Sequence, residues 1–448
     1  MRCFFMAGYN KLEVLLREEL DQLAEEGKLF DKTEFLKKID EAAGDLSKLN
    51  AIYDELCALP TDPNFKYIEP SEYDEILKES ETALVDEYKD IDDNFFHGAW
   101  LGRCIGCAMG QPVEGWQSKD IIEWQKTAGE YPRRSYIPTV SGTRRNEGPA
   151  TDEKINGMPP DDDTRFTVIG YKLMKAKGYD FDSYDVGSHW AYSMPIRHIC
   201  TAETQAYLNF VSVDEFGPWG RPEGALELLK KAKVNTYKNP YREFIGAQIR
   251  IDGYAYVAAG MPLLASRLAF HDAYLSHVKN GIYGAMFFSA FISAAFIEKD
   301  IEKCFRIALS VVPKRSRFYE EALLARDIAK NASSREELIE KLVANSRKYN
   351  WVHTLNNAAM CIGAIFYADG DFAEAVSLAV ECGYDTDCNG ATVGSFMGAL
   401  VGETGIPEYL KTPIRDTFSI NVSPYDDYSI KRFAFECRDL RKQLNEKE

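Results

Sequence analysis

The stretch Gly98-Ala-Trp-Leu-Gly-Arg-Cys-Ile-Gly-Cys-Ala-Met-Gly110 carries a glycine at every fourth residue, and Gly390-Ala-Thr-Val-Gly-Ser-Phe-Met-Gly-Ala-Leu-Val-Gly402 repeats the pattern. Residues four apart share one face of an α-helix, so each stretch predicts a helix with a bare stripe. Each interior glycine costs about 1 kcal/mol relative to alanine. Close approach of another helix or of a ligand must offset that cost. The two stripes therefore predict a tightly packed, all-α core.

The rest of the chain extends this helical pattern in both directions. Upstream, apolar residues such as Leu12, Leu16 and Leu23 recur at helical spacing and predict a small helical module over residues 1–93. Residues 94–448 are predicted to form one compact multi-helix domain. The N-terminal module contains no pattern typical of a catalytic site. It is interpreted as a packing or oligomerisation element, with regulation or target docking as the alternative.

The negative charge is concentrated at the N-terminus. The first 93 residues hold 25 acidic and 11 basic side chains and so carry −14 of the net charge of −17. Such a field repels phosphate backbones, so a nucleic-acid partner is not expected. A substrate that bears phosphate would need local cations or a metal to hold it.

Cysteine usage and hydropathy indicate the cellular compartment of the protein. The ten cysteines are scattered, without the paired spacing of a disulfide framework, which is typical of a reducing, cytoplasmic compartment. The first residues lack the apolar region of a signal peptide. The nearly uncharged run from Gly281 to Ile297 is just short of a membrane span and predicts a buried core helix. No membrane partner is expected.

Each glycine stripe adjoins an acidic motif. Pro112 ends the first helix and leaves Glu114 on a loop, whereas Asp385-Thr-Asp-Cys-Asn389 precedes the second stripe. A third motif, Pro160-Asp-Asp-Asp-Thr164, opens another helical pattern. One capping aspartate would explain a helix start, but three consecutive carboxylates repel one another unless a cation neutralises them. The motifs predict an oxygen-ligated metal site, with an acidic, solvated loop as the alternative.

Together, these motifs resemble those of the ADP-ribosylglycohydrolase family. The segment from Gly98 to Glu114 is similar to the family's opening glycine-rich helix and glutamate, Asp161 to Thr164 to its early Thr-Asp-Asp-Thr motif, and Asp385 to Asn389 to its late Asp-Thr-Asp-Thr motif. The segments 239–250 and 275–284 also look like a branch of this family. The resemblance spans about residues 94–405.

The resemblance implies an all-helical domain with a binuclear Mg²⁺ centre in a cleft. Carried over position by position, it implies a set of metal ligands from the early and late motifs, namely Asp161, Asp162, Asp163, Asp385, Asp387 and Cys388. It also implies catalytic roles for Glu114, Asp162 and Asp387. Residues expected to contact the substrate are Glu114, His277, Asn280 and Gly246.

Two departures from the family's motifs concern sulfur. Cys388 stands where the family has a threonine hydroxyl ligand, and Cys107 stands where the glycine-rich helix often carries an aspartate. Sulfur is a soft ligand that Mg²⁺ disfavours. We therefore expect one of the two metal positions to be weak, shifted or taken by a softer ion.

The implied function is hydrolysis of the glycosidic bond between ADP-ribose and a protein side chain or a small molecule. A metal could orient the ribose and activate water, and a carboxylate could accept the proton. The partner would be an ADP-ribosylated protein or an ADP-ribose-containing small molecule. Two alternatives stay open, a hydrolase of another nucleotide or N-glycoside, and a non-catalytic ADP-ribose-binding or structural relative with a degenerate metal site.

Overall fold

The fold was analysed in a computed structural model that describes residues 11–80, 82–140, 148–217 and 220–446. Within these ranges the chain forms 21 α-helices and one small antiparallel sheet. The all-α class predicted from the helical patterns is confirmed.

The helices follow one another with short connections. They are α1 (Leu12–Glu25), α2 (Lys32–Glu41), α3 (Leu46–Cys57), α4 (Tyr73–Glu79), α5 (Asp93–Gly110), α6 (Ser118–Thr127), α7 (Asp162–Lys177), α8 (Ser183–Ser193), α9 (Thr201–Val211), α10 (Ala225–Ala232), α11 (Asp252–Val257), α12 (Pro262–Ala273), α13 (Lys279–Ala295), α14 (Ile301–Leu309), α15 (Arg317–Asn331), α16 (Arg335–Ser346), α17 (Thr354–Ala368), α18 (Phe372–Glu381), α19 (Thr386–Val401), α20 (Glu408–Ile414) and α21 (Ile430–Asn445). Short 3₁₀ helices cover Gln111–Val113, Ile196–His198, Ile245–Arg250 and Glu403–Gly405. Strands β1 (Thr417–Phe418) and β2 (Tyr428–Ser429) pair with Thr417 opposite Ser429.

The two glycine-striped helices, α5 and α19, pack directly against each other. A Cβ atom on Gly102 would clash with the carbonyl oxygen of Gly394, and one on Gly106 would clash with that of Gly390. The helices share more contacts than any other pair of described elements. The predicted close approach of helices is confirmed, and backbone packing offsets the cost of the glycines.

Helix α13 contains most of the uncharged run noted in the sequence. Apart from Lys279 at its start, its residues are buried, and Phe287 and Phe291 pack among other aromatic rings. The prediction of a buried core helix is confirmed. None of the helices in the described ranges combines the length and the hydropathy needed to cross a bilayer.

The N-terminal helices α1, α2 and α3 share a hydrophobic cluster that is separate from the main core. Charged contacts nevertheless attach this region to the rest of the chain. Arg242 pairs with Glu19 and Glu26 at 2.8 Å each, and Arg317 pairs with Glu69 at 2.7 Å. Both arginines are buried. The division into residues 1–93 and 94–448 stays a prediction.

Candidate metal centre

Two helix N-termini carry the predicted acidic motifs. Asp161 caps α7, where its Oδ1 accepts a hydrogen bond from the backbone N–H of Asp163 at 3.0 Å. Asp385 occupies the N-cap position of α19 without a capping hydrogen bond from its side chain. Asp387 lies in the first turn of α19. Capping therefore explains Asp161 but leaves Asp163, Asp385 and Asp387 without that explanation.

The loop that carries Glu114 is fixed against the start of α19. The N–H of Gly115 donates to the carbonyl of Tyr384 at 2.8 Å, and the N–H of Tyr384 donates to the carbonyl of Trp116 at 2.9 Å. Thr386 Oγ1 also donates to the carbonyl of Gly110, at 2.8 Å, where α5 ends. Because the bare faces of α5 and α19 touch, the loop after α5 lies beside the acidic start of α19.

This packing brings potential ligand atoms from four segments together. In each of three sets, one ligand atom per residue lies within 4.8 Å of the others; the sets are Cys107 with Asp161 and Asp163, Asp163 with Asp387 and Cys388, and Glu114 with Asp385 and Asp387. All of these residues are buried except Glu114. The shared members link the three sets into one acidic centre.

Burial and mutual repulsion disfavour the charged carboxylates in this centre. Burial raises the pKa of Asp163 and Asp387 well above the ordinary aspartate value, and neighbouring carboxylates raise both further. Burial also raises the pKa of Asp385. Arg103 opposes this effect at Asp163, because its Nη2 lies 3.8 Å from Asp163 Oδ1. One guanidinium cannot balance so many carboxylates, particularly since Arg103 also pairs with Asp252.

Two oxygens of the centre have no hydrogen-bond partner among the described residues. They are Oδ1 of Asp163 and Oδ1 of Asp387, and both side chains are buried. A buried acceptor without a partner is costly, and a cation that binds there would remove the cost. The carboxylates thus fit a hard divalent cation such as Mg²⁺.

Two thiols border the same carboxylates. Cys388 Sγ donates to Asp163 Oδ2 at 3.4 Å, and Cys107 Sγ belongs to the set with Asp161 and Asp163. Burial, reinforced by the adjacent carboxylates, raises the pKa of both thiols well above the ordinary cysteine value. Sulfur fits Mg²⁺ poorly and softer divalent ions better, so the centre combines two kinds of donor.

Not every residue expected at the site joins these sets. Asp162, at the start of α7, is half-buried and belongs to none of the three. His277 and Asn280 are fully buried. The Nδ1 of His277 lies 2.9 Å from Ser276 Oγ, and Asn280 Nδ2 donates to Glu243 at 2.7 Å. These two side chains are engaged in internal hydrogen bonds.

Gly246, the remaining predicted substrate contact, lies in the 3₁₀ helix Ile245–Arg250. A Cβ atom there would clash with the carboxylate of Glu203. Two neighbours in that helix, Ile245 and Ile249, pack against Cys388. The segment therefore lies beside the acidic centre, while Gly246 itself accommodates a buried carboxylate.

Arg103 and Gln111 also contact the centre, although neither was predicted there from the sequence. Arg103 is the single charged residue between Gly98 and Gly110, and this lone charge in an apolar helix was a signal that a buried partner exists. Gln111 Nε2 donates to Asp161 Oδ2 at 2.9 Å and helps to hold that carboxylate. Nothing in the sequence around Gln111 signals this contact.

A family model agrees with the motifs. The family model described as ADP-ribosylglycohydrolase matches residues 89–440. Among solved structures, the chain is similar to one from an ADP-ribosylglycohydrolase-related protein complex, with 16% sequence identity, 79% of this chain and 98% of that chain covered, and a TM-score of 0.44. No curated protein matches the chain significantly.

Proposed function

The chain belongs to the ADP-ribosylglycohydrolase family, and on that premise we propose that it hydrolyses the glycosidic bond between ADP-ribose and a protein side chain or a small molecule, with a divalent cation as cofactor. The observation that carries the proposal is the acidic centre, in which buried carboxylate oxygens of Asp163 and Asp387 lack hydrogen-bond partners among the described residues.

The proposed ligands are the residues of the early and late motifs. Asp161, Asp163, Asp385 and Asp387 would supply oxygens, Cys388 and Cys107 would border the centre with sulfur, and Asp162 remains a candidate at its edge. When bound, a divalent cation would supply a Lewis acid that orients the ribose hydroxyls and lowers the pKa of water. Mg²⁺ fits the oxygen ligands, and one of two positions is expected to favour a softer ion.

Glu114 is the best candidate for the proton acceptor. It is the exposed member of the set with Asp385 and Asp387, so its carboxylate can reach both solvent and substrate. As water attacks the anomeric carbon, the glycosidic bond would break with its electron pair on the departing atom, Glu114 would take the proton from the water, and the departing group would take up a proton from solvent. Asp162 and Asp387 are the alternative acceptors. Glu114 would also contact the bound ribose, and His277, Asn280 and Gly246 remain proposed as residues that shape the substrate site.

Two other functions compete with this proposal. A non-catalytic relative with a degenerate metal site is favoured by the two thiols, whereas the partnerless carboxylate oxygens favour an intact cation site. A hydrolase of another nucleotide or N-glycoside would use the same centre. We also propose that the protein acts in the cytoplasm, where its many cysteines would stay reduced.

A product assay tests the function. The purified chain is incubated with arginine-linked and serine-linked ADP-ribosyl peptides and with an ADP-ribosylated small molecule, with and without Mg²⁺ or Mn²⁺, and free ADP-ribose is measured by chromatography. We expect cation-dependent release from at least one substrate. Glu114→Gln should slow release by about 10²–10⁴-fold, whereas Glu123→Gln, at an exposed glutamate on α6, should not. A folded protein that releases ADP-ribose from none of them contradicts the proposal.

A further inference from the structure

A second acidic cavity has one wall outside the region that matches the family. The cleft has a volume of about 200 Å³ and lies between α1 and the segment 348–350. Helix α1 ends at Glu25, far upstream of residue 89, where the family match begins. The acidic wall that α1 contributes is therefore not part of the segment that matches the family.

One wall of the cleft is rich in carboxyl groups. Helix α1 contributes the carboxylates of Glu18, Asp21 and Glu25 together with the amide of Gln22. Lys32 pairs with Asp21. Burial and repulsion from Asp21 raise the pKa of Glu18, and Lys32 partly opposes this effect. The wall therefore carries more negative charge than the adjacent lysine balances.

The amide of Gln22 points independently to a missing donor. Its Nε2 donates to Glu26 at 2.9 Å and to Glu243 at 2.8 Å, which fixes the orientation of the amide. Its Oε1 then has no hydrogen-bond partner among the described residues, although the side chain is only 2% exposed. A buried carbonyl oxygen at the wall of a cleft is satisfied by a ligand that donates a hydrogen bond.

The neighbouring basic groups do not supply that donor. His353 Nδ1 accepts from the N–H of Leu355 at 3.1 Å, so the proton lies on Nε2, which is 3.3 Å from Glu25 Oε2. Burial lowers the pKa of His353 to about 3, so the ring is neutral. Lys348, on the rim, pairs with Glu321. Burial also raises the pKa of Glu25 to about 8, an effect that a bound cation would reverse.

Two aromatic side chains also line the cleft. They are Phe244 and Tyr349, which line it together with the carboxylates. Aromatic ring faces attract cations, and carboxylates accept hydrogen bonds from their N–H groups, so this lining is complementary to a guanidinium or ammonium group. The volume is below the roughly 300–1,000 Å³ of pockets for drug-sized ligands, which suits one side-chain group rather than a nucleotide.

Residues 350–352 connect the cleft to the surroundings of the acidic centre. Asn350 lines the cleft, and the next residue, Trp351, lies against Gly115 on the Glu114 loop, since a Cβ on Gly115 would be 3.8 Å from the Trp351 ring. Val352 follows and packs against the cluster that Cys388 forms with Ile245 and Ile249. A polypeptide bound with one side chain in the cleft would therefore present neighbouring residues near Glu114.

We propose that this cleft binds a guanidinium or ammonium group, and that its natural occupant is an arginine or lysine side chain of the polypeptide that carries the ADP-ribose. The second part rests on the proposed function. The first part rests only on the carboxylates, on the Gln22 amide oxygen that has no hydrogen-bond partner among the described residues, and on the two aromatic side chains.

Binding of small cations to the full chain tests the first part, without any divalent metal. Methylguanidinium and methylammonium are titrated by NMR, with methylurea as the neutral match for methylguanidinium. We expect saturable binding of at least one cation and none of methylurea. Glu18→Gln and Glu25→Gln should each weaken it by about tenfold or more, as expected for loss of one charge-assisted hydrogen bond. Asp54→Asn, on exposed α3 surface, should leave it unchanged.

Thermal unfolding of each variant confirms that it is folded before the titration. Absence of saturable cation binding to the parent, equal binding of methylurea, or unchanged affinity in both glutamine variants would overturn the proposal. If the protein binds the cation but has no glycohydrolase activity, the proposed function is overturned and the proposed cation site in the cleft is retained.

Peptides test the second part. ADP-ribosylated peptides with and without a lysine or arginine beside the modified residue are compared by their KM and kcat. We expect Glu18→Gln to raise KM at least threefold, with kcat unchanged, only for peptides that carry the extra cation. If the parent protein has equal KM values for the two kinds of peptide, the proposal that a side chain of the substrate polypeptide occupies the cleft is overturned. A small cation would then be the ligand.

Discussion

At the scale of single residues, Cys388 is the most informative position. Its thiol donates to Asp163 and lies among the carboxylates of the proposed metal centre. Cys388→Thr replaces a soft sulfur with an oxygen of similar reach, so we expect tighter Mg²⁺ binding and higher activity at low Mg²⁺. Calorimetric titration of both proteins with Mg²⁺ measures the change.

The control for this substitution is Cys361→Thr. Cys361 is also buried, but its thiol faces Asn389 and it belongs to none of the three ligand sets. The substitution Cys361→Thr should leave the Mg²⁺ affinity unchanged. Identical titration curves for parent and Cys388→Thr would remove Cys388 from the metal site. Weaker binding by Cys388→Thr would instead identify the sulfur as a ligand for a softer ion.

Glu25 gives a prediction about pH and stability. Burial, with repulsion from Glu243, raises its pKa from 4.5 to about 8 in the folded chain. At a pH between these two pKa values, the folded chain binds a proton that the unfolded chain does not. The contribution of Glu25 to stability is therefore complete below about pH 4.5 and is lost as the pH rises through 8. In Glu25→Gln this dependence should be absent.

Urea unfolding from pH 5 to 9 measures this effect. The free energy of unfolding of the parent minus that of Glu25→Gln should fall up to about pH 8 and then level off. Glu41→Gln, at an exposed glutamate on α2, is the control and should show no such fall. A difference that stays constant with pH would contradict the raised pKa.

Residue identities in the metal centre were predictable only in part. Three consecutive aspartates and the pair around Thr386 carry their own signal, because crowded carboxylates need a cation. The buried contacts of Asn280 could not be read from the sequence, since its partners Glu243 and Glu69 are distant along the chain. Tertiary packing alone sets those contacts.

At the scale of elements, the bare faces of α5 and α19 position the site. Gly102→Ala would force a methyl group into the carbonyl of Gly394 and separate the two helices. We expect a loss of stability above the 1–3 kcal/mol typical of overpacking, because backbone cannot move aside as a side chain can. Denaturant unfolding measures this loss.

Gly148→Ala is the matched control. A Cβ atom on Gly148 meets no atom of the described residues within 4 Å, so the stability of Gly148→Ala should differ from that of the parent by less than about 0.5 kcal/mol. If Gly102→Ala were equally neutral, the helices would not be in backbone contact. The glycine period predicted this contact from sequence, but not which helix would be the partner, because the spacing of one helix does not identify the face that it meets.

At the scale of the whole molecule, buried ion pairs join the N-terminal segment to the larger helical body. Arg317 is buried and pairs with Glu69 and Glu243. Glu69→Gln removes one carboxylate from this buried cation, and loss of a buried partner typically costs about 3–5 kcal/mol. We expect that order of destabilisation in urea unfolding, with a further loss when residues 1–89 are deleted.

Asp74→Asn, at an exposed position of α4, is the control and should change stability little. Stability unaffected by Glu69→Gln would mean that the ion pair contributes nothing and that the segment is loosely attached. The sequence predicted a packing role for this module from its helical periodicity. It could not predict the ion pairs, because arginines at 242 and 317 are distant in sequence from their N-terminal partners.

The central claim is that the acidic motifs of α7 and α19 together bind a divalent cation. The direct test is thermal unfolding of the parent and of the double variant Asp163→Asn with Asp387→Asn, each over a range of Mg²⁺ and Mn²⁺ concentrations. The double variant should fold, since it removes repelling buried charges at constant side-chain size. We predict a saturable rise in Tm for the parent, equivalent to about 2.7 kcal/mol at one hundred times the dissociation constant, and none for the double variant. An equal rise in both proteins would place the cation elsewhere and contradict the claim.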